Sequence, residues 1–105
     1  MTSYQIIFCT CPDQTTSEAI AHLLVEQQLA ACVNILPGLT SIYRWQDQLE
    51  TAEEHLLIIK STQDQYPAIE QSITLRHPYE MPEIIALPIG QGLPAYLEWI
   101  QRAVV

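Results

Sequence analysis

Two thiols one residue apart, and a single imidazole heading a short run of proline, phenol and carboxylates, are the groups in this chain best equipped for chemistry. Cys9 and Cys11 flank Thr10 inside an apolar run. His77-Pro78-Tyr79-Glu80-Met81-Pro82-Glu83 places one imidazole, one phenol and two carboxylates within seven residues of proline-stiffened backbone. An imidazole so placed can ligate a metal or move a proton. Equally, His77, Tyr79 and Glu80 can hydrogen-bond across a subunit interface and fix its register, because buried polar groups need partners. On a strand, Cys9 and Cys11 share one face and Thr10 takes the other. The plain alternative for them is two buried thiols acting as small hydrophobes.

Other residues offer narrower possibilities. Cys32 opens a second apolar run, where it faces a cleft or fills the core. Lys60 closes a third; it snorkels, pairs with a carboxylate, or holds an anion, with Arg76 as a second anion donor. Tyr43, Trp45 and Trp99 have the character of anchors packed between subunits. Glu50, Glu53 and Glu54 read as a solvated acidic stretch, with weak cation binding through oxygen as their other use. His22 lies on a helical stripe with Glu18 and Glu26 and reads as surface. No Gly-x-Ser-x-Gly, phosphate loop, dinucleotide fingerprint or nucleophile–base–orienter set is present, so no enzymatic activity is expected.

Composition narrows the classes further. Twelve acidic against four basic side chains give a formal charge of −8, which disfavours nucleic acid as a partner. No apolar run reaches the ~18 residues needed to cross a bilayer, so no membrane span is expected. Residues 1–5 carry no basic signal region. Three cysteines, an odd number without paired CxxC motifs, argue against a disulfide framework or a closed zinc site. These features together predict a cytoplasmic protein. At 105 residues and 49% hydrophobic, the chain predicts one domain over residues 1–105 with a core of its own.

The elements that must position these groups can be read in order. Residues 4–10 are a continuous apolar strand. A helix follows, with Thr15 and Glu18 spaced as a capping box. Residues 31–36 and 39–45 form strand character broken at Pro37-Gly38 by a turn or bulge, and a polar turn at 46–48 leads into a strand over 49–61. The two runs make a hairpin longer than ordinary strands, whose tip should project. Thr62 with Gln65 suggests a second capping box, Pro67 fits a first turn, and His77-Pro78 ends that helix. Residues 83–89 are a fourth strand with Pro88 marking an edge or terminus, and 93–104 show a short amphipathic helix. The order βαββαβ plus a terminal helix predicts an α+β, ferredoxin-like sandwich with an extended hairpin between its second and third strands. Both main helices then cover one sheet face, and the other, apolar face needs a second subunit.

Five runs carry a family resemblance: Ala31-Cys32-Val33-Asn34-Ile35, Ser41-Ile42-Tyr43-Arg44-Trp45, Glu53-Glu54 leading to Ile59-Lys60-Ser61, His77 through Ile84, and Tyr96-Leu97-Glu98-Trp99-Ile100. Together they resemble the CutA family of divalent-cation tolerance proteins. The resemblance implies a ferredoxin-like subunit in a tight homotrimer, linked to metal ions and, in some members, copper. It implies a cation near Cys9, His77 and Glu80. Cys9-Thr10-Cys11-Pro12 fits the family's first-strand cysteine motif. His77 fits the second of two histidines before Pro-Tyr, but Arg76 replaces the first. Arginine cannot ligate and repels a cation, which counts against strong copper binding; Cys11 could compensate, since thiolates suit Cu(I). Asp47 stands where the family often has glycine, and Asp tolerates the left-handed conformation. The runner-up function is a signalling or scaffold trimer resembling PII proteins, holding a small anion or a partner protein in clefts between subunits.

Overall fold

The computed structural model describes residues 3–105. Its elements run β1 (Tyr4–Cys11), α1 (Gln14–Glu26), β2 (Cys32–Trp45), β3 (Gln48–Thr62), a single 3₁₀ turn (Gln63–Gln65), α2 (Tyr66–Arg76), β4 (Ile84–Pro88) and α3 (Pro94–Ala103). The four strands form one antiparallel sheet in the order β2-β3-β1-β4. This is the ferredoxin-like arrangement expected from the order of elements. β4 is an edge strand, which lets it end at Pro88 without losing a ladder donor.

Alternation along the strands sorts the sheet into two faces. Ile7, Cys9 and Cys11 of β1 and Leu57 and Ile59 of β3 are fully buried against Ile20 and Leu24 of α1 and Ile69 and Ile73 of α2. Each such aliphatic side chain contributes roughly 1.5–3 kcal/mol when fully buried, so this layer is the monomer's main source of stability. The opposite face presents Ile6 and Phe8, Leu56 and Ile58, Leu36, Ile85 and Leu87, all half-buried or exposed. α3 covers only one end of that face. Tyr4 donates its hydroxyl to Gln101 Oε1 at 2.9 Å, Ile100 is fully buried, and Tyr96 lies close enough to Cys32 to feel its charge.

The helix starts differ from the capping boxes read in the sequence. Asp13, not Thr15, caps α1: its carboxylate accepts the Thr16 N–H at 2.8 Å, and that hydrogen bond holds the carboxyl below its ordinary pKa. Glu18, freed from capping, accepts instead from Gln14 Nε2. Thr62 makes no side-chain cap, because the chain first winds one 3₁₀ turn, and Gln65 reaches the Val105 carbonyl. Pro67 does fall in the first turn of α2, and His77, extended at φ −75° and ψ 137°, ends it.

β2 and β3 run side by side for 14 and 15 residues. At about 3.3 Å per residue that span matches the molecule's longest dimension of 44 Å. The hairpin therefore sets the length of the subunit and projects from the sheet. Its tip has Gln46 and Asp47 both left-handed, at φ 51° and 65°, the signature of a type I′ turn. L-residues other than Asn and Asp resist that region, and glycine enters it freely. Asp47→Gly is therefore expected to raise the melting temperature by a few degrees, and Asp47→Val to lower it, in a thermal-denaturation series.

One irregularity decides which hairpin residues share a face. The register steps from Leu36↔Leu56 to Leu39↔Glu54, two residues passed on β2 for one on β3, with Gly38 at φ 77°. Pro37-Gly38 is thus a bulge. Before it, the even-numbered residues of β2 share the open face with Leu56; beyond it, the odd-numbered ones do. Ser41, Tyr43 and Trp45 consequently join Thr10 and Glu54 on the open face.

Candidate functional site

β1 and the link after α2 build the first site. Cys9 and Cys11 point from β1 towards the helices, and His77 ends α2 directly over them. One ligand atom from each of the three lies within 4.8 Å of the others, and all three residues are buried. Two hydrogen bonds fix the imidazole. Its Nδ1 accepts the Tyr79 N–H at 3.1 Å, so its Nε2 carries the proton and donates to the Thr10 carbonyl at 2.7 Å. The Tyr79 ring leans on it with centroids 4.7 Å apart. His77 thereby ties β1 to the link, and both ring nitrogens are engaged.

The thiols divide their proton unequally. Cys9 is driven up by its hydrogen bond to Cys11, by burial, and by the fields of Cys11, Glu83 and Glu54. Cys11 is driven down because the Cys9 thiol donates to its thiolate, which outweighs burial. The cluster therefore pairs one thiol whose ionisation is eased with one whose ionisation is opposed, both sealed from solvent. Soft, polarisable sulfur in a dry site favours soft ions such as Cu(I) over hard divalent ones. The residues present fit such an ion.

A cleft of about 580 Å³ opens on the other face of the sheet. Thr10, Ser41, Tyr43, Trp45 and Glu54 form its floor through the register described above, and Tyr79, Glu80, Met81 and Glu83 of the link form its wall. Glu54 is only 7% exposed and accepts the Tyr79 hydroxyl at 2.8 Å. Burial and that carboxylate together push the Tyr79 phenol well above its ordinary pKa.

These positions revise several expectations. The structure groups Cys9 and His77 with Cys11, whereas Glu80 stands in the cleft on the far side of the sheet. Tyr79 and His77 find hydrogen-bond partners within their own chain. Glu54 is not a solvated hairpin acid: alternation along β3 puts it on the same face as Leu56 and Ile58, and it is buried there against Tyr79. Lys60 is engaged by Asn34 Oδ1. Arg76 is exposed and donates to Ser72 O at 3.2 Å, one turn back along its own helix. Neither cation lines the cleft. Cys32 is half-buried on the open face rather than in the helix-side core. Tyr43 and Trp45 are each 44% exposed. Trp99 stacks on Tyr96 with ring centroids 5.5 Å apart. Glu54 escaped the sequence reading because its burial comes from a partner 25 residues away, Tyr79, which the strand pattern does not reveal.

A model of the CutA1 divalent ion tolerance protein family matches residues 5–103. The chain belongs to this family. The divalent-cation tolerance protein CutA of Thermus thermophilus is 45% identical over 98 residues, covering 93% of this chain and 95% of that one. Its solved structure superposes with a TM-score of 0.95 at 43% identity, covering 97% of this chain and 99% of that chain. The human Protein CutA is 42% identical over 100 residues, 95% of this chain but 56% of its own length, so the chain spans about half of that relative. A structure described as a periplasmic divalent cation tolerance protein from Archaeoglobus fulgidus has a TM-score of 0.94 at 35% identity, covering 97% of this chain and 99% of that one.

Proposed function

We propose that this protein is a metal-binding homotrimer that contributes to metal-ion tolerance by holding a soft ion, copper in its reduced form, at Cys9 and Cys11, and that it is not an enzyme. The observation that carries this reading is the convergence of two buried thiols and an imidazole within 4.8 Å. His77 supports the site more than it supplies it, because both of its nitrogens already hold hydrogen bonds. The two sulfurs are the donors without competing backbone partners of that strength; the backbone contact of Cys9, to Thr10 O, is long at 3.8 Å. Arg76 points away from the cluster and neither ligates nor crowds it.

The trimer rests on the open sheet face. Its exposed isoleucines and leucines form the kind of contiguous apolar patch that monomers rarely present. Three free thiols fit a reducing cytoplasm. Within one subunit the cleft carries three carboxylates against the single Arg44, which favours cations over anions there.

Anaerobic titration of reduced protein with Cu(I), against a competing chelator, tests the reading. One equivalent per chain is expected, with Cys9→Ser and Cys11→Ser each losing at least about a hundredfold in affinity, the scale of an essential donor. Parallel titrations with Cu(II) and Zn(II) should bind more weakly. Unchanged Cu(I) affinity in both serine variants would exclude the site.

A further inference from the structure

A second imidazole, His55, stands beside the thiol pair. We propose that its Nδ1 is the third donor to the ion held by Cys9 and Cys11, a proposal that rests on the reading of those thiols as the metal site.

The backbone puts the ring there. Cys11 and His55 are direct partners in the antiparallel ladder of β1 and β3. Directly opposed residues project to one face, with Cβ atoms about 4.5–5.5 Å apart. Alternation agrees: Leu57 and Ile59, the next alternate residues of β3, are buried on the helix side with Cys9 and Cys11. A second observation places the ring at the end of β1. The Asp13 carboxyl is held below its ordinary pKa first by its hydrogen bonds with Thr16 and then, against desolvation, by the nearby charge of His55. The half-buried ring thus lies where β1 passes into α1. It is on the face that the subunit's own helices cover, not on the open face assigned to the trimer.

The condition of the ring carries the inference. Among the described residues, two buried side-chain atoms lack a hydrogen-bond partner, Gln5 Oε1 and His55 Nδ1. Gln5 pairs with Ser61 near the other end of β1, away from the thiols. A buried polar atom without a partner is uncommon, and a bound ion is one of its ordinary explanations. His77 is in the opposite condition, with Nδ1 and Nε2 both holding hydrogen bonds, at 3.1 and 2.7 Å. His77 lies within 4.8 Å of both sulfurs, and His55 does not belong to that group. Nearness and availability therefore favour different rings. Ligation by His77 gives up a hydrogen bond and orphans the Thr10 carbonyl or the Tyr79 N–H. Ligation by His55 takes a rotation of its own side chain and gives up no hydrogen bond at Nδ1. Availability decides for His55. Imidazole suits copper, as sulfur does, and a neutral donor adds no negative charge to a buried site that already carries thiolate.

Long-range ¹H–¹⁵N NMR of labelled, reduced protein, before and after one equivalent of Cu(I) without oxygen, reads the donor. The chain has three histidines, so each ring is assigned by its own substitution. The His55 Nδ1 resonance is expected to move and those of His22 and His77 to hold. In Cu(I) titrations against a competing chelator, His55→Ala should lose about tenfold or more in affinity, less than either thiol variant, and His22→Ala should lose nothing. His55→Cys, which returns a soft donor, should regain the loss. Chemical denaturation keeps folding apart from binding: His55→Ala should unfold close to the midpoint of the unmodified protein, and His55→Gln is the second variant should it fold poorly. Movement of the His77 resonances with His55 still would overturn the proposal in favour of the nearer ring. Unchanged affinity in His55→Ala, with Cys9→Ser and Cys11→Ser both weakened, would overturn it and leave a site of two thiols standing. Failure of the unmodified protein to bind Cu(I) would overturn both readings together, a result seen before any variant is made.

Discussion

Ile58→Asp is expected to run as a species of about one chain's mass, 11.9 kDa, and the unmodified protein, on the proposed trimer, as three times that. Ile58 sits mid-sheet on the open face, opposite Phe8 on one side and Asn34 on the other, with Ile85 beyond Phe8. A neighbour seated on this row would trap an aspartate without a partner. The effective cost of a desolvated, unpaired charge is several kcal/mol, paid once per copy, which moves each contact by at least about a hundredfold. The helix-side core of Ile7, Leu57, Ile59, Ile69 and Ile73 is untouched, so circular dichroism should keep its helical signal. Light scattering reads the outcome. A trimer that survives the substitution would mean that the subunits meet elsewhere, and an unmodified protein that is monomeric at micromolar concentration would remove the trimer altogether.

His77→Ala is expected to cost stability rather than metal. The ring satisfies the Thr10 carbonyl and the Tyr79 N–H at once. Removing it orphans both, each at about 1–3 kcal/mol if buried, and leaves a void beside Cys9 and Cys11. Chemical denaturation should show a loss of roughly 2–4 kcal/mol on that basis. His77→Gln, whose amide can reach Thr10 but not Tyr79 as well, should recover part of it. Cu(I) stoichiometry should persist in His77→Gln if the thiols are the donors. Loss of Cu(I) binding there, with little loss of stability, would make the imidazole a true ligand and reverse the roles assigned to it here.

Much of the architecture was legible in the residues because local patterning agrees with the fold. The apolar run at Ile6-Ile7-Phe8, the helical spacing of Ile20, Leu23 and Leu24, and the proline at 78 each point to the element observed. The boundaries that sequence missed were choices between equivalent groups. Asp13 and Thr15 can both cap a helix, and only the path out of β1 selects Asp13. The thiol pair was legible from strand alternation alone, since i and i+2 share a face whatever the tertiary context. The proximity of His77 to that pair came only with the family resemblance and not from local pattern, because it depends on where a helix ends above the sheet. The cleft was least legible. Its floor joins residues from three strands, and a register shift of one residue at Pro37-Gly38 determines which of them meet.

That bulge also constrains how the hairpin can change. Upstream of it, even-numbered residues of β2 share a face with Leu56; downstream, the odd-numbered ones do. No point substitution in residues 39–45 can exchange the two faces, because each replacement inherits the direction of the backbone it stands on. Insertion or deletion of one residue at 37–38 would exchange them all together, turning the Tyr43 and Trp45 side chains away from the face that carries Glu54. The hairpin's length can therefore drift by pairs of residues at its tip with its aromatic side preserved, while the count of residues at Pro37-Gly38 behaves as a reading frame that folding translates into geometry.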